Sequence, residues 1–411
     1  MRVLILGLNY LPESTSIGPY TSDLAEYLLT AGHSVEVVTG FPMAPQWRIW
    51  DGYRGKWFSR EVVNDVPIRR SYLFVPKEPR RTFNRVLFDT SFALSSLLAS
   101  LTTEPCDLVL AVSPPLQVGL MGSLVSRLKG APLFLHVQDL VPDAALATGM
   151  LAEDSVAVRL ARRLERLVYR KADAIGVICD GFRQNLEAKG VPARKIKLLP
   201  NHIDLDFIRP RPRDGRFRAQ WGIAASDFVV MYSGSVGLKQ GLETLIDTAA
   251  LLGSEKNVRF VVIGEGPSLR DLVTRATAAQ LSNVTFLPLQ PRESLPEQLA
   301  AADVLCITQR RAVTDTVFPG KLLYYLAAAR PILAAVSGES ETGRFVTAQK
   351  VGLVTQPEDP AAMAAAILRL RQQGAEELGR RGRAVVEQYF DRRVVLPAFL
   401  KELETLAGAT S

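Results

Sequence analysis

Short segments that are apolar throughout alternate with amphipathic segments along most of the chain, and this alternation constrains the fold more than any other feature. A strand that is apolar along its whole length is buried on both faces, as in a parallel sheet covered by helices. In the first half, the pattern predicts strands at 2–8, 34–40, 107–113, 131–137 and 172–179, with helices at 18–32, 80–102, 116–129 and 154–170. The first half therefore predicts a doubly wound α/β domain.

The same alternation restarts after residue 200. It predicts strands at 227–234, 258–264, 283–289, 303–308 and 331–336, with helices at 239–252, 266–279, 319–329 and 338–349. The segment between the halves is rich in Pro and Arg and lacks apolar periodicity, which indicates a solvated linker. We predict two α/β domains at 1–200 and 223–388, a linker at 201–222 and a final helix at 389–411. Such sheets bind ligands beyond the carboxyl ends of their strands.

The composition and the net charge indicate in which compartment the protein works and which kinds of partner it could bind. The 411 residues include three scattered cysteines, too few for a disulfide framework or a zinc site, which indicates a reducing compartment. The first residues lack the pattern of a signal peptide, and no stretch reaches the roughly 18 apolar residues of a spanning helix, so we expect a cytoplasmic protein. The net charge of +7 suits a membrane surface or a phosphorylated ligand, or reflects only an arginine-rich surface. A nucleic-acid binder is the weakest interpretation, because basic and aromatic residues are not interleaved.

Two strand-to-helix loops contain glycines that would let backbone N–H groups approach a phosphate. The first ends at Gly18, but the G-x-G-x-x-G fingerprint of dinucleotide sites is absent. The second, "SGSVGLKQG", surrounds Ser235, Lys239 and Gln240 with glycines. Phosphate binding is favoured there over a plain loop, whereas ordinary turn geometry is an equal alternative at Gly18.

Lys321 follows Gly320 at the start of a predicted helix. The amino end of a helix is electropositive, so a cation there is locally unfavourable unless an anion shares the site. Together with Lys239, it could hold a diphosphate and neutralise a leaving group without a metal. No cluster of acidic residues or histidines with metal-ligand spacing stands out in the sequence.

Two other features allow both a functional and a structural interpretation. His136 and Asp139 are predicted just beyond a strand end, where a histidine could donate a hydrogen bond to a substrate or serve only in packing. The segment 77–101 places basic residues before a Phe- and Leu-rich helix. It could lie in a membrane interface, or it could be a core helix preceded by a solvated turn.

Eight motifs follow one another along nearly the whole chain. They are "NYLPESTSIGPYTSDLAEYLLTAGHSVEVVTGFP" (9–42), "PQW" (45–47), "FVPKEP" (74–79), "LHVQDLVPDAAL" (135–146), "LLPNHID" (198–204), "YSGSVGLKQGLETLI" (232–246), "VIGEGP" (262–267) and "FPGKLLYYLAAARPIL" (318–333). Together they resemble the retaining GT-B glycosyltransferases of family 4. The similarity is greatest to the branch of the colanic-acid biosynthesis glycosyltransferases and the L-fucosamine transferases.

The resemblance implies two Rossmann-like domains facing a cleft, with the C-terminal helix crossing back to the first domain. It implies that the second domain binds a nucleotide-diphosphate sugar and that the first domain binds the acceptor. A UDP-sugar is favoured over a GDP-sugar as the donor. The sugar would be transferred with retention of anomeric configuration, without a metal or other cofactor. Acceptors in this branch are often lipid-linked sugars or oligosaccharides of cell-surface polysaccharides, which favours the membrane interpretation of 77–101.

The resemblance also assigns individual positions. It places the diphosphate at Gly18, Ser235, Gln240 and Gly320, catalytic roles at His136, Lys239 and Lys321, the base and ribose at Leu287, Leu289 and Tyr324, and the transferred sugar at Asp139, Thr316 and Phe318.

The sequence departs from the wider family at two places. Many members carry an Arg where this chain has Ser235, and a Lys one residue later than Lys239. Many also have two carboxylates where this chain has Thr316 and Tyr324. These departures leave two alternatives open, a non-catalytic scaffold for a polysaccharide complex and a GT-B nucleotide-sugar epimerase.

Overall fold

Each half of the chain forms its own sheet in a computed structural model, which describes residues 1–13, 17–44, 46–78, 81–140, 142–143, 146, 155–312 and 319–408. One compact unit contains Met1–Asn201 together with Val395–Ser411, and the other contains His202–Val394. Both sheets are built mainly from parallel strands, as the apolar segments predict.

The sheet of the first unit has the strand order β3-β4-β2-β1-β5-β6-β7-β8. Its strands are β1 Arg2–Gly7, β2 Ser34–Gly40, β3 Phe58–Val63, β4 Val66–Ser71, β5 Leu108–Ser113, β6 Leu133–Val137, β7 Ala174–Val177 and β8 Ile196–Leu198. Strands β3 and β4 form an antiparallel hairpin that we did not predict, because β3 alternates half-buried and exposed residues at the sheet edge. Asn64 and Asp65 turn the hairpin with φ of 50° and 63°, a conformation that Asn and Asp adopt more readily than most residues.

The helices of the first unit agree closely with their predicted positions. They are α1 Gly18–Thr30, α2 Thr82–Leu101, α3 Leu116–Lys129, α4 Val156–Lys171 and α5 Asp180–Ala188, of which α5 was not predicted. Helix α3 packs against both α2 and α4. The three therefore form a continuous row on the unit's surface.

The sheet of the second unit has the strand order β11-β10-β9-β12-β13-β14. Its strands are β9 Phe228–Ser233, β10 Val258–Ile263, β11 Val284–Leu287, β12 Val304–Thr308, β13 Ile332–Ala335 and β14 Gly352–Thr355. Its helices are α6 Arg216–Gln220, α7 Glu243–Leu251, α8 Leu269–Ala278, α9 Leu295–Ala300, α10 Lys321–Ala327, α11 Glu341–Gln349, α12 Pro360–Gln373 and α13 Glu376–Tyr389. Apolar clusters cover both faces of this sheet.

The predicted linker at 201–222 is not solvated along its whole length. Residues 209–216 are exposed, but Ile203, Ile208 and Phe217 on either side of them join the hydrophobic core of the second unit. Arg218 is 2% exposed, and its guanidinium donates to the carbonyl oxygens of residues 224, 227 and 301 and pairs with Asp303. Its charge is therefore part of the unit's interior, which a count of Pro and Arg cannot reveal.

The last helix, α14, extends from Arg392 to Gly408. Leu396, Phe399 and Leu403 join the core of the first unit, with the rings of Phe399 and Phe134 5.6 Å apart. The end of the chain thus completes a core that begins at residue 3.

Candidate functional site at the end of strand β9

The side chain of Lys321, the first residue of α10, reaches the carboxyl end of β9. Its Nζ lies 2.5 Å from the hydroxyl of Tyr232 and 3.8 Å from the centroid of that ring. The Tyr232 hydroxyl donates to the carbonyl of Ser235 at 2.6 Å, which leaves its lone pairs for the ammonium. The lack of a side chain at Gly234 makes room for Nζ, since a Cβ there would lie 2.9 Å from it.

This ammonium has a charge without an ionic partner in the part of the chain that the structure describes. Burial lowers the pKa of Lys321 to about 7, and no carboxylate among the described residues opposes that shift. Burial also raises the pKa of Tyr232, so its hydroxyl stays neutral at physiological pH. A buried cation is costly unless a negative group compensates it. The site therefore suits an anionic ligand.

Two glycines of the loop after β10 allow the loop after β9 to take its position. Gly264 and Gly266 have φ of 150° and 153°, and a Cβ at each would lie only 1.9 Å from the Gly234 carbonyl and 2.2 Å from that of Val236. The G-x-G of the sequence thus marks a close approach of two backbones, where no side chain fits.

The predicted phosphate ligands of the β9 loop occupy different environments. Ser235 is exposed, and Lys239 is half-buried in the 3₁₀ turn Leu238–Gln240. Gln240 accepts a hydrogen bond from the Gly237 N–H at 3.1 Å through Oε1. That contact fixes the loop and leaves only the amide nitrogen of Gln240 to donate to a ligand.

Several residues that we did not predict support this loop. The Arg310 guanidinium donates to the Leu238 carbonyl and to the Glu243 carboxylate, both at 2.8 Å. The Tyr325 hydroxyl bonds to the backbone N–H and C=O of Ser233, both at 2.9 Å. The sequence alone does not show whether Tyr324 or Tyr325 faces the sheet, because the orientation of the helix decides which of the two reaches the strand.

The remaining predicted residues of the second unit lie at scattered positions. Tyr324 is a half-buried residue of α10, and Gly320 is the N-cap residue of that helix. Leu287 ends β11 with its carbonyl accepting from Gly264, whereas Leu289 is 49% exposed. Thr316 and Phe318 lie outside the described residues.

In the first unit, His136 is not beyond the strand end as predicted, because it is the fourth residue of β6 and pairs in register with Val112 and Gly176. It is buried, its ring meets that of Phe399 edge-on at 5.0 Å, and Nε2 lies 3.4 Å from Nε2 of Gln138. Asp139 is half-buried, two residues after the strand.

Gly18 begins α1 where the helix passes close to the preceding loop, since a Cβ there would lie 3.0 Å from the Glu13 carbonyl. Glu13 itself is a buried carboxylate that we did not predict. It accepts the N–H groups of Met43 and Ala44 at 2.7 Å and the amide of Asn9 at 2.9 Å. These contacts give the loop a structural role whether or not Gly18 touches a ligand.

The segment predicted to meet a membrane contains α2, which has two apolar faces. One packs inward through Phe88 and Phe92. The other exposes Phe83, Val86, Leu87, Leu94, Leu98 and Leu101. In the described part of the chain, no helix is both long and apolar enough to span a bilayer. Nor does any cluster of three His, Cys, Asp or Glu residues there form a metal site.

Comparison with known proteins decides the family. A glycosyl transferase 4-like domain model matches residues 15–202, and a model of the glycosyl transferases group 1 matches residues 227–373. The protein named "Putative colanic acid biosynthesis glycosyl transferase WcaI" of Escherichia coli is 32% identical over 89% of this chain and 91% of its own. The chain belongs to the family 4 glycosyltransferases of the GT-B fold.

Solved structures agree with the fold of this glycosyltransferase. The sucrose-phosphate synthase of Thermosynechococcus elongatus superimposes with a TM-score of 0.78 at 19% identity, covering the whole of both chains. HepE of Anabaena, solved in complex with UDP, gives a TM-score of 0.75 at 17% identity over 98% of this chain and all of its own. At these identities the likeness concerns the fold, and the roles of individual residues stay predictions.

Proposed function

We propose that this glycosyltransferase moves a sugar, with retention of anomeric configuration, from a nucleotide-diphosphate sugar to a lipid-linked glycan in the assembly of a cell-surface polysaccharide. The observation that carries the donor half is the half-buried Lys321, whose desolvated ammonium faces Tyr232 and Gly234 without a carboxylate among the described residues. A diphosphate would supply the missing negative charge and would become a better leaving group.

A UDP-sugar is the favoured donor, because HepE was solved with UDP-glucose as well as UDP. The name of the E. coli relative refers to a polysaccharide, colanic acid. We propose that the cationic side chains of Lys321 and Lys239 take the place of a metal at the diphosphate.

Membrane association is the second part of the proposal. Helix α2 exposes six large apolar side chains, and Lys77 and Arg81 precede them as exposed cations. Such a helix can lie in the interface of an anionic bilayer. We propose a peripheral location on the inner face of the cytoplasmic membrane, where a lipid-linked acceptor would be reached.

The donor site is tested by titrating UDP-, GDP- and TDP-sugars against the protein in thermal-shift and calorimetric assays. We expect UDP-sugars to bind and Lys321→Met to weaken the best of them about 100-fold, the scale of losing one buried charged contact. Lys256→Met, which removes an exposed lysine of the same unit, is the matched control and should leave the affinity unchanged.

Product analysis then separates the alternatives. Sugar appearing on a lipid-linked acceptor with its anomeric configuration unchanged supports the proposal, whereas an inverted product contradicts it. Release of an epimerised sugar would instead identify an epimerase. No binding of any nucleotide sugar would leave only the scaffold.

A further inference from the structure

A second basic site lies in the first unit, away from the carboxyl ends of the strands. A cavity of about 580 Å³ opens between the later turns of α4 and the loop that precedes β8. Four arginines line it, Arg163, Arg166 and Arg170 from α4 and Arg194 from the loop. We call it the arginine pocket. It lies near the amino ends of β7 and β8, whereas ligands of such sheets bind at the opposite ends.

Two described carboxylates near the arginine pocket, Glu165 and Asp143, pair with Lys189, which also lines the pocket. Glu165 is the acidic residue of α4, and it is buried, accepting from the Tyr169 hydroxyl at 2.9 Å and pairing with Lys189 at 2.9 Å. Lys189 also pairs with Asp143. None of the four arginines has an ion pair with a described residue.

The arrangement is unfavourable for the helix without an anion. Arg163 is followed by Arg166 at i+3, and Arg166 by Arg170 at i+4, so these like charges are neighbours on one face of α4. The electronegative carboxyl end of the helix can stabilise Arg170 in the last turn, but not Arg163, two turns earlier. A ligand with one or more phosphates would relieve the repulsion of all four charges.

The same exposed face of α4 continues into apolar residues toward its amino end. Val156 and Leu160 are 70% and 64% exposed, and at 100° per residue they lie beside Arg163 on the helix surface. A site for a free phosphate would not require exposed apolar side chains, whereas a bilayer would cover them. Helix α3, which packs between α4 and α2, also exposes Leu124 and Leu128.

We propose that the arginine pocket binds the phosphate of an anionic glycerophospholipid headgroup, with Val156 and Leu160 entering the bilayer interface beside it. This proposal rests on the membrane association proposed above, because the membrane would supply the lipid ligand. It does not depend on the donor site. It adds a headgroup site to a surface that would otherwise bind by apolar contact alone.

The test compares the full chain with the double variant Arg163→Gln/Arg166→Gln in sedimentation with vesicles of equal parts phosphatidylcholine and phosphatidylglycerol. We expect the variant to bind about 30-fold more weakly, because each arginine near an anionic surface contributes roughly fivefold. The matched control is Arg270→Gln/Arg369→Gln, which removes two exposed arginines of the second unit and should change binding less than threefold.

The other outcomes each overturn a defined part. Equal binding of both double variants to the vesicles, at wild-type level, would overturn the arginine pocket and leave membrane association standing. No binding of the wild type to these vesicles would overturn both. If inorganic phosphate or glycerol phosphate in solution bound as tightly as the vesicles, the lipid source would be wrong. Tighter binding of a DNA duplex that is lost in Arg163→Gln/Arg166→Gln would make nucleic acid the ligand.

Discussion

Two sites of charged side chains, one in each unit, differ in how completely their charges are satisfied. In the first unit, the Glu13 carboxylate accepts three hydrogen bonds, and the fully buried Arg70 pairs with Glu61 and donates to the carbonyls of Gly40 and Leu11. In the second unit, Lys321 has one neutral hydroxyl and no carboxylate among the described residues.

The comparison distinguishes a structural charge from one that is available to a ligand. A buried charge with all its partners supplied by the protein stabilises the fold, because removing it leaves those partners unsatisfied. A buried charge without an ionic partner destabilises the fold and favours binding of the opposite charge. The two sites should therefore respond to substitution with opposite signs.

The largest effect is expected at the satisfied site. Glu13→Ala leaves the buried N–H of Met43 and the neighbouring N–H of Ala44 without an acceptor, so we expect the unfolding free energy of the first unit to fall by about 3 kcal/mol. Hydrogen exchange of the β1 amides measures it. Glu26→Ala removes a half-buried carboxylate of α1 whose hydrogen bond from Asn64 lies at the surface. It should cost below about 1 kcal/mol; an equal loss from both variants would contradict the contrast.

The opposite sign is expected for Lys321→Met. Replacing a desolvated, uncompensated ammonium by an apolar side chain of similar length should raise the unfolding free energy of the second unit by about 2 kcal/mol at pH 6. Hydrogen exchange of the β9 amides reports this unit. A large destabilisation would show that Lys321 has a structural partner.

The protonation of Lys321 should make both the stability of the second unit and its affinity for the donor depend on pH. Its folded pKa, about 7, lies below the ordinary 10.5, so the stability penalty is complete below pH 7 and disappears as pH rises toward 10.5. The ammonium is also the form that binds a diphosphate. We therefore expect UDP-glucose affinity to fall by up to tenfold, about 1.4 kcal/mol, per pH unit above 7.

Calorimetry over pH 6 to about 9 checks this expectation. A UDP-sugar suits the measurement, because its diphosphate diester does not titrate in the range. Lys321→Met should give a flat profile, and a wild-type profile equally flat would mean that Lys321 does not exchange a proton on binding.

The smallest effect is expected at Gln240. Its side chain accepts from the half-buried Gly237 N–H, so Gln240→Ala should lower the stability of the second unit by about 0.5 kcal/mol. If the residue serves mainly the loop, UDP-glucose affinity changes less than threefold in calorimetry. A tenfold loss would instead place its amide nitrogen on the diphosphate.

Strand-helix alternation was sufficient to predict the two sheets, because buried parallel strands are apolar throughout. The edge hairpin β3–β4 was not predicted, because its two strands contain polar as well as apolar residues. Lys321 was identified from local sequence, but its partner Tyr232 lies 89 residues away and is joined to it only by the fold. The misassigned linker shows the same limit, because Arg218 is buried by residues up to 85 positions distant.

Helix α14 has a consequence for the order in which the chain becomes structured. Leu396, Phe399 and Leu403 belong to the core that β1 begins, yet they are synthesised after the whole of the second unit. While the polypeptide is still on the ribosome, the first 201 residues lack the ring that covers Phe134 and His136. The unit that starts first is therefore completed after the second, and losing Leu396, Phe399 and Leu403 would open the core that β1 begins.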